Sequence, residues 1–277
     1  MTHIGSGIHT TSTAMRDATK ARLARILELV ETGETAVEAL SAILGVSAST
    51  VRRDLANLRQ EGLITRTYGG ALLPGHSHEP TISERHLEYR REKEAIAARA
   101  AEYVNDGDTI FLDGGTTVGY LLRRLIPRRG LTVITNAVSE LPTLIDSSFD
   151  VILLGGELRR SSQSTVGPIT EESLRRLGAD HAFLGADGIV PGRGICEADL
   201  NQTSIKEAMA RNCSRAYVLT DSSKLNKAPF GAWAVLPQTF TLITDYTASE
   251  TDLTPFANDP HIEVIVAPKI TRSSAGG

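Results

Sequence analysis

Cysteine, tryptophan and long apolar segments are scarce in this chain. Among its 277 residues there are two cysteines, Cys196 and Cys213, and one tryptophan. Two cysteines at this spacing match neither a zinc motif nor a disulfide framework, so we expect the reducing cytoplasm as the setting. Apolar runs such as residues 151–154 fall far short of the roughly 20 residues that span a bilayer, and no membrane partner is expected. Residues 1–15 lack the apolar segment of a secretory signal.

A large excess of either charge is also absent. The chain has 29 basic and 33 acidic residues, which gives a formal net charge of −4. A chain with this balance is unsuited to coating nucleic acid or an acidic membrane, so any contact with DNA must come from a local patch of positive charge. Hydrophobic residues make up 41% of the chain, enough to bury a core, so a folded protein is expected.

Composition divides the chain into four parts. Residues 1–15 are rich in Thr, Ser and Gly without periodicity, which predicts a disordered arm. Residues 16–73 show helical periodicity and then two short alternating runs, which predicts three helices and a β-wing. Residues 74–92 begin with Pro and Gly and enter a helical run of mixed charge, which favours a linker and the start of a connecting helix with a solvated face. Residues 93–277 form the remaining domain.

Short apolar strands alternate with helical stretches from residue 108 onwards. Continuous β-branched runs separated by helices are typical of a parallel sheet that is covered on both faces, and we predict that architecture for this domain. The seven predicted strands are residues 109–112, 131–135, 151–154, 181–185, 216–220, 241–244 and 263–266.

The third predicted helix has two chemically different sides. It follows Ser47, which can cap its N-terminus, and at about 100° per residue Val51, Leu55 and Leu58 form a narrow stripe that must face a core. Asp54 lies near the edge of this stripe, so we expect it to pair with an arginine or a backbone group. The polar side faces outwards, as the second helix of a helix-turn-helix does when it enters the major groove of DNA.

We assign Arg53 on this outer side to base edges, because a guanidinium can bind guanine with two hydrogen bonds. Neighbouring side chains are assigned to phosphates or to the first bases, and the predicted wing to the backbone or the minor groove. The candidate DNA-binding residues are Ser47, Ser49, Thr50, Arg52, Arg53, Asn57, Arg66 and Tyr68. The alternative is an ordinary interaction bundle, since residues 16–73 carry eight basic and seven acidic residues.

The loop after the first strand of the second domain is a candidate phosphate cradle. Asp113-Gly-Gly-Thr-Thr117 joins a strand to a helix, so backbone N–H groups and the helix N-terminus can point towards one anion. Polar or glycine clusters follow four more strands, and ligands of open α/β sheets bind beyond the carboxyl ends of the strands. Taken singly, each cluster could be a helix cap, a turn or a solvated side chain. The candidate ligand-binding residues from these clusters are Asp113, Gly114, Gly115, Thr116, Thr117, Thr135, Asn136, Gly156, Glu157, Arg159, Gly167, Asp187 and Lys224.

Long runs in both domains resemble one known family. Arg22-x3-Ile26-x3-Val30, followed after sixteen residues by the run 47–55, resembles the DeoR-type helix-turn-helix signature, and the run 61–71 looks like the wing of that family. The second domain resembles the DeoR-type effector domain, which shares its fold with ribose-phosphate isomerases and CoA-transferases. The runs that carry this second resemblance are 113–117, 135–136, 155–157, 185–189, 194–209 and 221–224.

The resemblance implies a winged helix-turn-helix domain followed by a mostly parallel α/β effector domain. It also implies a transcriptional regulator, commonly a repressor of sugar or polyol catabolism, that senses a phosphorylated metabolite and needs no cofactor. It adds Glu197 and Lys206 to the candidate effector-binding residues. One stretch differs from the family, since residues 202–204 read Gln-Thr-Ser where members often carry a Glu-Ala-Glu-like run.

The expected partners are a double-stranded DNA operator, a small phosphorylated metabolite and further copies of the chain, because one head makes too few base contacts to select a site. No metal site is expected, and His76 and His78 are interpreted as exposed polar residues. One alternative is a sugar-phosphate isomerase-like enzyme in which Asp187 or Glu197 moves a proton and Lys224 stabilises an anion. Another is a protein–protein adaptor, which predicts no salt-dependent affinity for DNA.

Overall fold

The computed structural model describes residues 19–29, 37–60, 65–67, 70–72, 79–236 and 239–270. Contacts divide the chain into two compact units, a first unit of Met1–His78 and a second unit of Glu79–Gly277. Residues 79–92, which composition assigned to the linker and the start of a connecting helix, therefore belong to the second unit. The predictions for residues 1–15, for Tyr68 and for His76 and His78 lie outside the described residues.

The first unit contains a helix-turn-helix and a β-hairpin. Helix α1 spans residues 19–29, α2 spans Val37–Leu44 and α3 spans Ala48–Gln60, while strands β1 (Thr65–Thr67) and β2 (Gly70–Leu72) pair antiparallel. Gly45 between α2 and α3 has a φ of +64°, a left-handed conformation that favours glycine after a helix. The buried core of the three helices consists of Ile26, Val37, Leu40, Val51, Leu55 and Leu58. The predicted helix-turn-helix is confirmed.

A buried carboxylate ties α1 to α3. Asp54 is only 2% exposed, and it accepts two hydrogen bonds from Arg22, at 2.6 Å from Nε and 3.2 Å from Nη2. Because a buried carboxylate without partners is costly, this two-pronged ion pair fixes the orientation of the helix that carries the candidate DNA-binding residues. The prediction that Asp54 pairs with an arginine is confirmed.

The second unit is built on one parallel sheet. Its strands are β3 (Thr109–Leu112), β4 (Thr132–Thr135), β5 (Asp150–Leu153), β8 (Ala179–Leu184), β11 (Cys213–Leu219), β13 (Phe240–Asp245) and β14 (Ile262–Ala267). They lie in the order β14-β13-β11-β8-β3-β4-β5, and every neighbouring pair is parallel. Each of the seven predicted strands overlaps one of these strands, so the predicted parallel sheet is confirmed.

Two small antiparallel sheets lie beside the main sheet. One is the hairpin of β6 (Glu157–Arg159) and β7 (Ser164–Val166), and the other contains β9 (Gly188–Val190), β10 (Gly194–Glu197) and β12 (Ala232–Ala234). The helices of this unit are α4 (Ile82–Leu87), α5 (Arg90–Ala101), α6 (Thr116–Leu125), α7 (Leu141–Ile145), α8 (Pro168–Leu174), α9 (Leu200–Arg211) and α10 (Glu250–Ala257), with short 3-10 turns at Val138–Glu140 and Ser222–Lys224.

Helices cover both faces of the main sheet. On β3, Ile110 and Leu112 join one hydrophobic cluster, whereas Phe111 between them joins the other cluster on the opposite face. This alternation is the side-chain period of a strand, and it places a core on each side. In the part of the chain that the structure describes, no helix is long and apolar enough to cross a membrane.

Helix α5 has a buried side and a charged side. Its run of mixed charges predicts a solvated face, and the structure adds a buried one, which consists of Ala95, Ile96, Ala97 and Ala100 together with Lys93. These residues recur at helical spacing between the charged ones, so one stripe of α5 packs against α6 and the sheet while the other side carries the charges.

The Arg22–Asp54 pair predicts a specific loss of stability. The substitution Asp54→Asn should lower the free energy of unfolding of the intact chain by roughly 1–3 kcal/mol, because a neutral amide cannot accept both N–H groups of Arg22. Urea denaturation gives this value, and faster amide hydrogen exchange in α1 and α3 locates the effect. Arg25→Gln is the control, since Arg25 and Glu28 form an exposed pair that contributes little. Equal effects of the two substitutions would contradict the assignment.

Candidate DNA-binding surface and candidate effector site

Helix α3 presents a polar surface at its N-terminal half. The Ser47 Oγ accepts a hydrogen bond from the backbone N–H of Thr50 at 3.2 Å, which caps the helix as predicted. Ser49, Arg52, Arg53 and Asn57 are exposed, and Thr50 is half-buried. Ser47 and the candidates up to Arg53 therefore lie before or in the first half of α3, and Asn57 lies about one turn further along the helix.

The two arginines of this surface differ in their surroundings. The Arg52 guanidinium lies 3.4 Å from the carboxylate of Glu38, an exposed pair that water screens. Within the described residues, Arg53 forms no ion pair, so its guanidinium is available to a partner. Arg66 lies in β1 opposite Ala71 in the strand register.

A cavity lies beyond the carboxyl ends of β3 and β8. It is lined by Arg85, Gly114, Gly115, Thr116, Thr117, Gly185, Ala186, Asp187, Glu197, Gln202, Lys206 and Lys224. Its volume is about 20 Å³, which is room for about one water molecule. Eight of the residues predicted from sequence thus meet at one place, which is the edge of the sheet where α/β proteins bind ligands.

The N-terminus of α6 forms one wall of this cavity. Helix α6 begins at Thr116, and no side chain caps it. Gly114 precedes it and donates its backbone N–H to the Asn136 Oδ1 at 3.2 Å, which holds the loop in place. An uncapped helix N-terminus carries partial positive charge and unpaired N–H groups, so this wall is suited to an anion.

A buried cluster of three titratable side chains forms the floor of the cavity. Glu197 and Lys206 line the cavity, and Asp113 contacts Lys206 from outside it. Lys206 on α9 contacts Asp113 at the end of β3, donates to the Gly185 carbonyl at 3.0 Å and lies 3.3 Å from Glu197. Asp113 also accepts the backbone N–H of Gly185 at 3.0 Å. All three side chains are at most 6% exposed, so their charges interact through protein rather than through water.

Burial decides which of these groups are charged. Burial raises the pKa of Glu197 to about 8, and Lys206 opposes this only in part. Burial also disfavours the charged ammonium of Lys206, but the carboxylates of Asp113 and Glu197 outweigh it and raise the pKa of the lysine. At neutral pH the cluster is therefore an ion pair of Lys206 with Asp113 beside a mostly protonated Glu197.

The rim of the cavity is held by an ion-pair network that includes the first residues of the second unit. Arg85 on α4 contacts Asp187 at 2.9 Å and Glu79 at 3.2 Å. Glu79 also accepts two hydrogen bonds from Arg159, one of them at 2.7 Å, and one from Ser161 at 3.1 Å. Burial opposes ionisation of Glu79, but Arg159 and Arg85 outweigh it and lower the pKa of this carboxyl.

Two hydrogen-bond acceptors in the cavity wall have no partner among the described residues. They are the Oδ2 of Asp187 and the amide oxygen of Gln202, both of them buried. Lys224 adds a half-buried ammonium, which donates to the Ala186 carbonyl at 2.7 Å. The cavity therefore combines cationic groups and a helix N-terminus, suited to an anion, with free acceptors, suited to hydroxyl groups.

Several predicted residues lie outside the cavity wall. Thr135 donates to the Leu112 carbonyl at 2.6 Å, and the Asn136 amide donates to the Thr165 carbonyl at 3.1 Å, so both brace neighbouring loops. A Cβ atom on Gly156 would lie 2.1 Å from the Thr170 Oγ1, which indicates a packing role. Four further candidates also lie outside the cavity wall. Asp113 contacts Lys206 and Arg159 pairs with Glu79. Glu157 is exposed on β6, and Gly167 precedes α8.

Arg85 and Gln202 are cavity residues that the sequence reasoning missed. A signal for the first existed, because Thr81-x-x-Glu84 forms a capping box, with a hydrogen bond of 2.7 Å from the Thr81 N–H to the Glu84 carboxylate. This pattern marks the start of the connecting helix and places Arg85 on it. The signal for Gln202 was its position in the stretch that differs from the family pattern.

The first unit and the cavity of the second unit together define a class, that of two-domain DNA-binding regulators with a small-molecule site. The family descriptions agree. Residues 22–76 match the DeoR-like helix-turn-helix domain, and residues 88–246 match the DeoR C terminal sensor domain. The chain belongs to the DeoR family of transcriptional regulators.

Curated relatives support this assignment over most of the chain. The "HTH-type transcriptional regulator GlpR" of Haloferax volcanii is 34% identical over 213 residues, which is 76% of this chain and 83% of that protein. The "Lactose phosphotransferase system repressor" of Streptococcus mutans is 38% identical over 73% of this chain and 82% of its own length. The "Glycerol-3-phosphate regulon repressor" of Escherichia coli K12 is 33% identical over 69% and 76%, respectively.

Similarity to solved structures is weaker. Ribose 5-phosphate isomerase A of Methanocaldococcus jannaschii is 20% identical with a TM-score of 0.36, over 48% of this chain and 52% of that chain. A similarity of this degree carries no argument about activity. The relatives bear the names of regulators and repressors, and the expected enzyme alternative has no support from them.

The raised pKa of Glu197 predicts a pH dependence of stability. The folded protein holds the proton of the Glu197 carboxyl more tightly than the unfolded chain does. The resulting contribution to the free energy of unfolding is complete below about pH 4.5 and is lost as the pH rises towards about 8. Glu197→Gln cannot lose a proton. The free energy of unfolding of the wild type should therefore fall relative to this variant as the pH rises through that window, as measured by urea denaturation.

The substitution Glu250→Gln provides the control, because it removes one carboxylate from an exposed position on α10. If the wild type and Glu197→Gln had parallel pH profiles, Glu197 would not be protonated in the folded protein, and the charge assignment of the cluster would be wrong.

Proposed function

We propose that this protein represses genes of carbohydrate or polyol catabolism and that a phosphorylated sugar or polyol, bound in the cavity of the second unit, controls its affinity for DNA. One observation carries the effector half of this proposal. The cavity combines an uncapped helix N-terminus and the two partly exposed cationic side chains of Arg85 and Lys224 with two buried acceptors that lack partners among the described residues. A phosphate ester with free hydroxyl groups has the complementary chemistry.

The phosphate is assigned to the wall formed by residues 114–117 and Lys224. Backbone N–H groups at a helix N-terminus bind phosphate oxygens, and an ammonium supplies a point charge beside them. The hydroxyl groups are assigned to Asp187 and Gln202, whose free oxygens accept O–H donors. The names of two relatives, which refer to glycerol 3-phosphate and to a lactose phosphotransferase system, support a ligand of this class.

DNA binding is assigned to the exposed side of α3. In this proposal Arg53 reads a base edge, whereas Ser47, Ser49, Thr50 and Arg52 contact phosphates or the first bases and Asn57 lies beside them. Two or more copies act together on repeated half-sites, because a single head contacts too few bases. The protein acts in the cytoplasm. A tenfold change in DNA affinity requires only about 1.4 kcal/mol of coupling between the two sites.

The substitution Arg53→Ala tests base reading. It should weaken binding to the cognate operator by roughly 1–3 kcal/mol and relax base preference at one position, because a guanidinium that binds guanine contributes about this much. Fluorescence anisotropy at one salt concentration measures the affinity for operator and for random DNA. Arg176→Ala, which removes an exposed arginine of the second unit, is the control. An equal loss on both DNAs would show that Arg53 contacts only phosphate.

The substitution Thr117→Asp tests the phosphate cradle. Thr117 is the second residue of α6 and lines the cavity, so a carboxylate there should occupy or repel the phosphate site and abolish the response to phosphorylated compounds. The rise in melting temperature on adding them measures the response. Thr251→Asp makes the same change at the second residue of α10, which is exposed, and should keep the response. A full response in Thr117→Asp would move the site elsewhere.

A further inference from the structure

Arg85 is the one cavity residue that precedes the sheet in the chain, among the residues that the structure describes. It lies on α4, which begins three residues after Glu79, where the second unit starts. The remaining lining residues lie in the loops after β3 and β8, at the end of β10, on helices α6 and α9, and in the 3-10 turn Ser222–Lys224. The cavity is therefore connected, through one side chain, to the segment that continues the chain from the first unit.

The positive charges around the cavity are not equally available to a ligand. Lys206 is 3% exposed and already pairs with Asp113, so its charge is committed. Arg85 and Lys224 are 16% and 23% exposed, and both reach the cavity surface. A phosphate ester brings up to two negative charges into a site that also contains Asp187, so it requires cations that can turn towards it.

The carboxylates that hold Arg85 are exchangeable partners. Its guanidinium lies between Asp187 and Glu79, and Glu79 has a second, two-pronged partner in Arg159. If Arg85 turns away, Glu79 therefore stays paired. Asp187 has one oxygen without a partner already, and its second oxygen becomes available to ligand hydroxyl groups when Arg85 leaves.

The cavity is small beside the ligand proposed for it. Its volume of about 20 Å³ is room for about one water molecule, so a sugar phosphate that enters it fully displaces part of the wall. Helix α4 has six residues, one of them buried, whereas α6 and α9 each bury seven. Besides the arginine network, it is held by hydrogen bonds from the Ile82 N–H to the Ser161 carbonyl at 3.1 Å and from the Lys93 ammonium to the Arg85 carbonyl at 2.5 Å, and by an edge contact of the His86 ring with Tyr120. With one buried residue, α4 costs less to shift than α6 or α9 does.

From these observations we infer that Arg85 binds the anionic group of the effector and that it leaves Asp187 and Glu79 to do so. This inference rests on the proposed function and adds to it the route by which occupancy reaches DNA binding. The exchange shifts α4 and Glu79, with which the second unit begins, so the ligand-bound and ligand-free states differ at the residues that follow the first unit in the chain. The effector thereby favours one of two arrangements, as a ligand that changes DNA affinity must.

The test uses the intact chain with four probes: inorganic phosphate, glycerol 3-phosphate, galactose 6-phosphate and unphosphorylated galactose. Calorimetry or melting temperature gives the affinity for each probe, and anisotropy gives the ratio of operator affinities with and without it. Arg85→Gln should weaken binding of the phosphorylated probes at least tenfold. Arg90→Gln removes the same charge from an exposed arginine paired with Glu94 and should match the wild type.

Glu79→Gln distinguishes exchange from a merely structural role. It removes one competitor for the guanidinium of Arg85, so the phosphorylated probes should bind several-fold more tightly, whereas damage to the fold would weaken them. Binding by Arg85→Gln within twofold of the wild type, or weaker binding by Glu79→Gln, overturns the inference and leaves the proposed function standing. A wild type that responds to none of the phosphorylated probes overturns the proposed function itself.

Discussion

One buried ammonium organises the carboxyl edge of the sheet. Lys206 reaches from α9 to the end of β3, to the loop after β8 and to the end of β10, through Asp113, the Gly185 carbonyl and Glu197. Two carboxyl groups buried this closely repel each other when both are ionised, and a single lysine can neutralise only one of them. The second stays protonated, because burial raises the pKa of Glu197 to about 8. The cavity floor is therefore close to neutral.

A neutral floor determines what the rest of the cavity can bind. Since Lys206 is committed to Asp113, attraction of an anion depends on Lys224, on Arg85 and on the N-terminus of α6. These groups lie on the wall and the rim, where the side chains of Arg85 and Lys224 are partly exposed. A paired lysine in the floor and partly exposed cations at the rim fit the proposed function, in which one site holds a small anion and changes its shape on binding.

The sequence predicts the fold well because its signals are local. Apolar β-branched runs separated by helical stretches predict each strand of the sheet, and a parallel sheet brings the polar residues after these strands to one edge. This logic finds residues 114–117, Asp187 and Lys224. It fails for Arg159, which follows β5 as a ligand-binding arginine does but pairs with Glu79, a residue 80 positions earlier in the chain. No local pattern reveals a pair of this separation.

The same limit explains the residues that were missed. Arg85 stands in a run of mixed charges that is typical of a solvated helix, and only the three-dimensional structure places it against Asp187. Asp113 shows the converse, since its position after a strand suggests direct ligand contact, whereas Lys206, 93 residues later, takes up its carboxylate. Local sequence patterns thus predict the helices, the strands and the edge of the sheet at which polar residues gather. Ion pairs between residues far apart in the chain decide which charged residues at that edge are free to bind a ligand.

The most direct measurement of the central claim is the affinity of the intact protein for its operator, by anisotropy at one ionic strength, with and without a saturating phosphorylated compound. The account predicts a change of about tenfold or more with the phosphate ester and none with the same sugar or polyol lacking phosphate. Equal operator affinity under all conditions, with a compound shown to bind the protein, would contradict it.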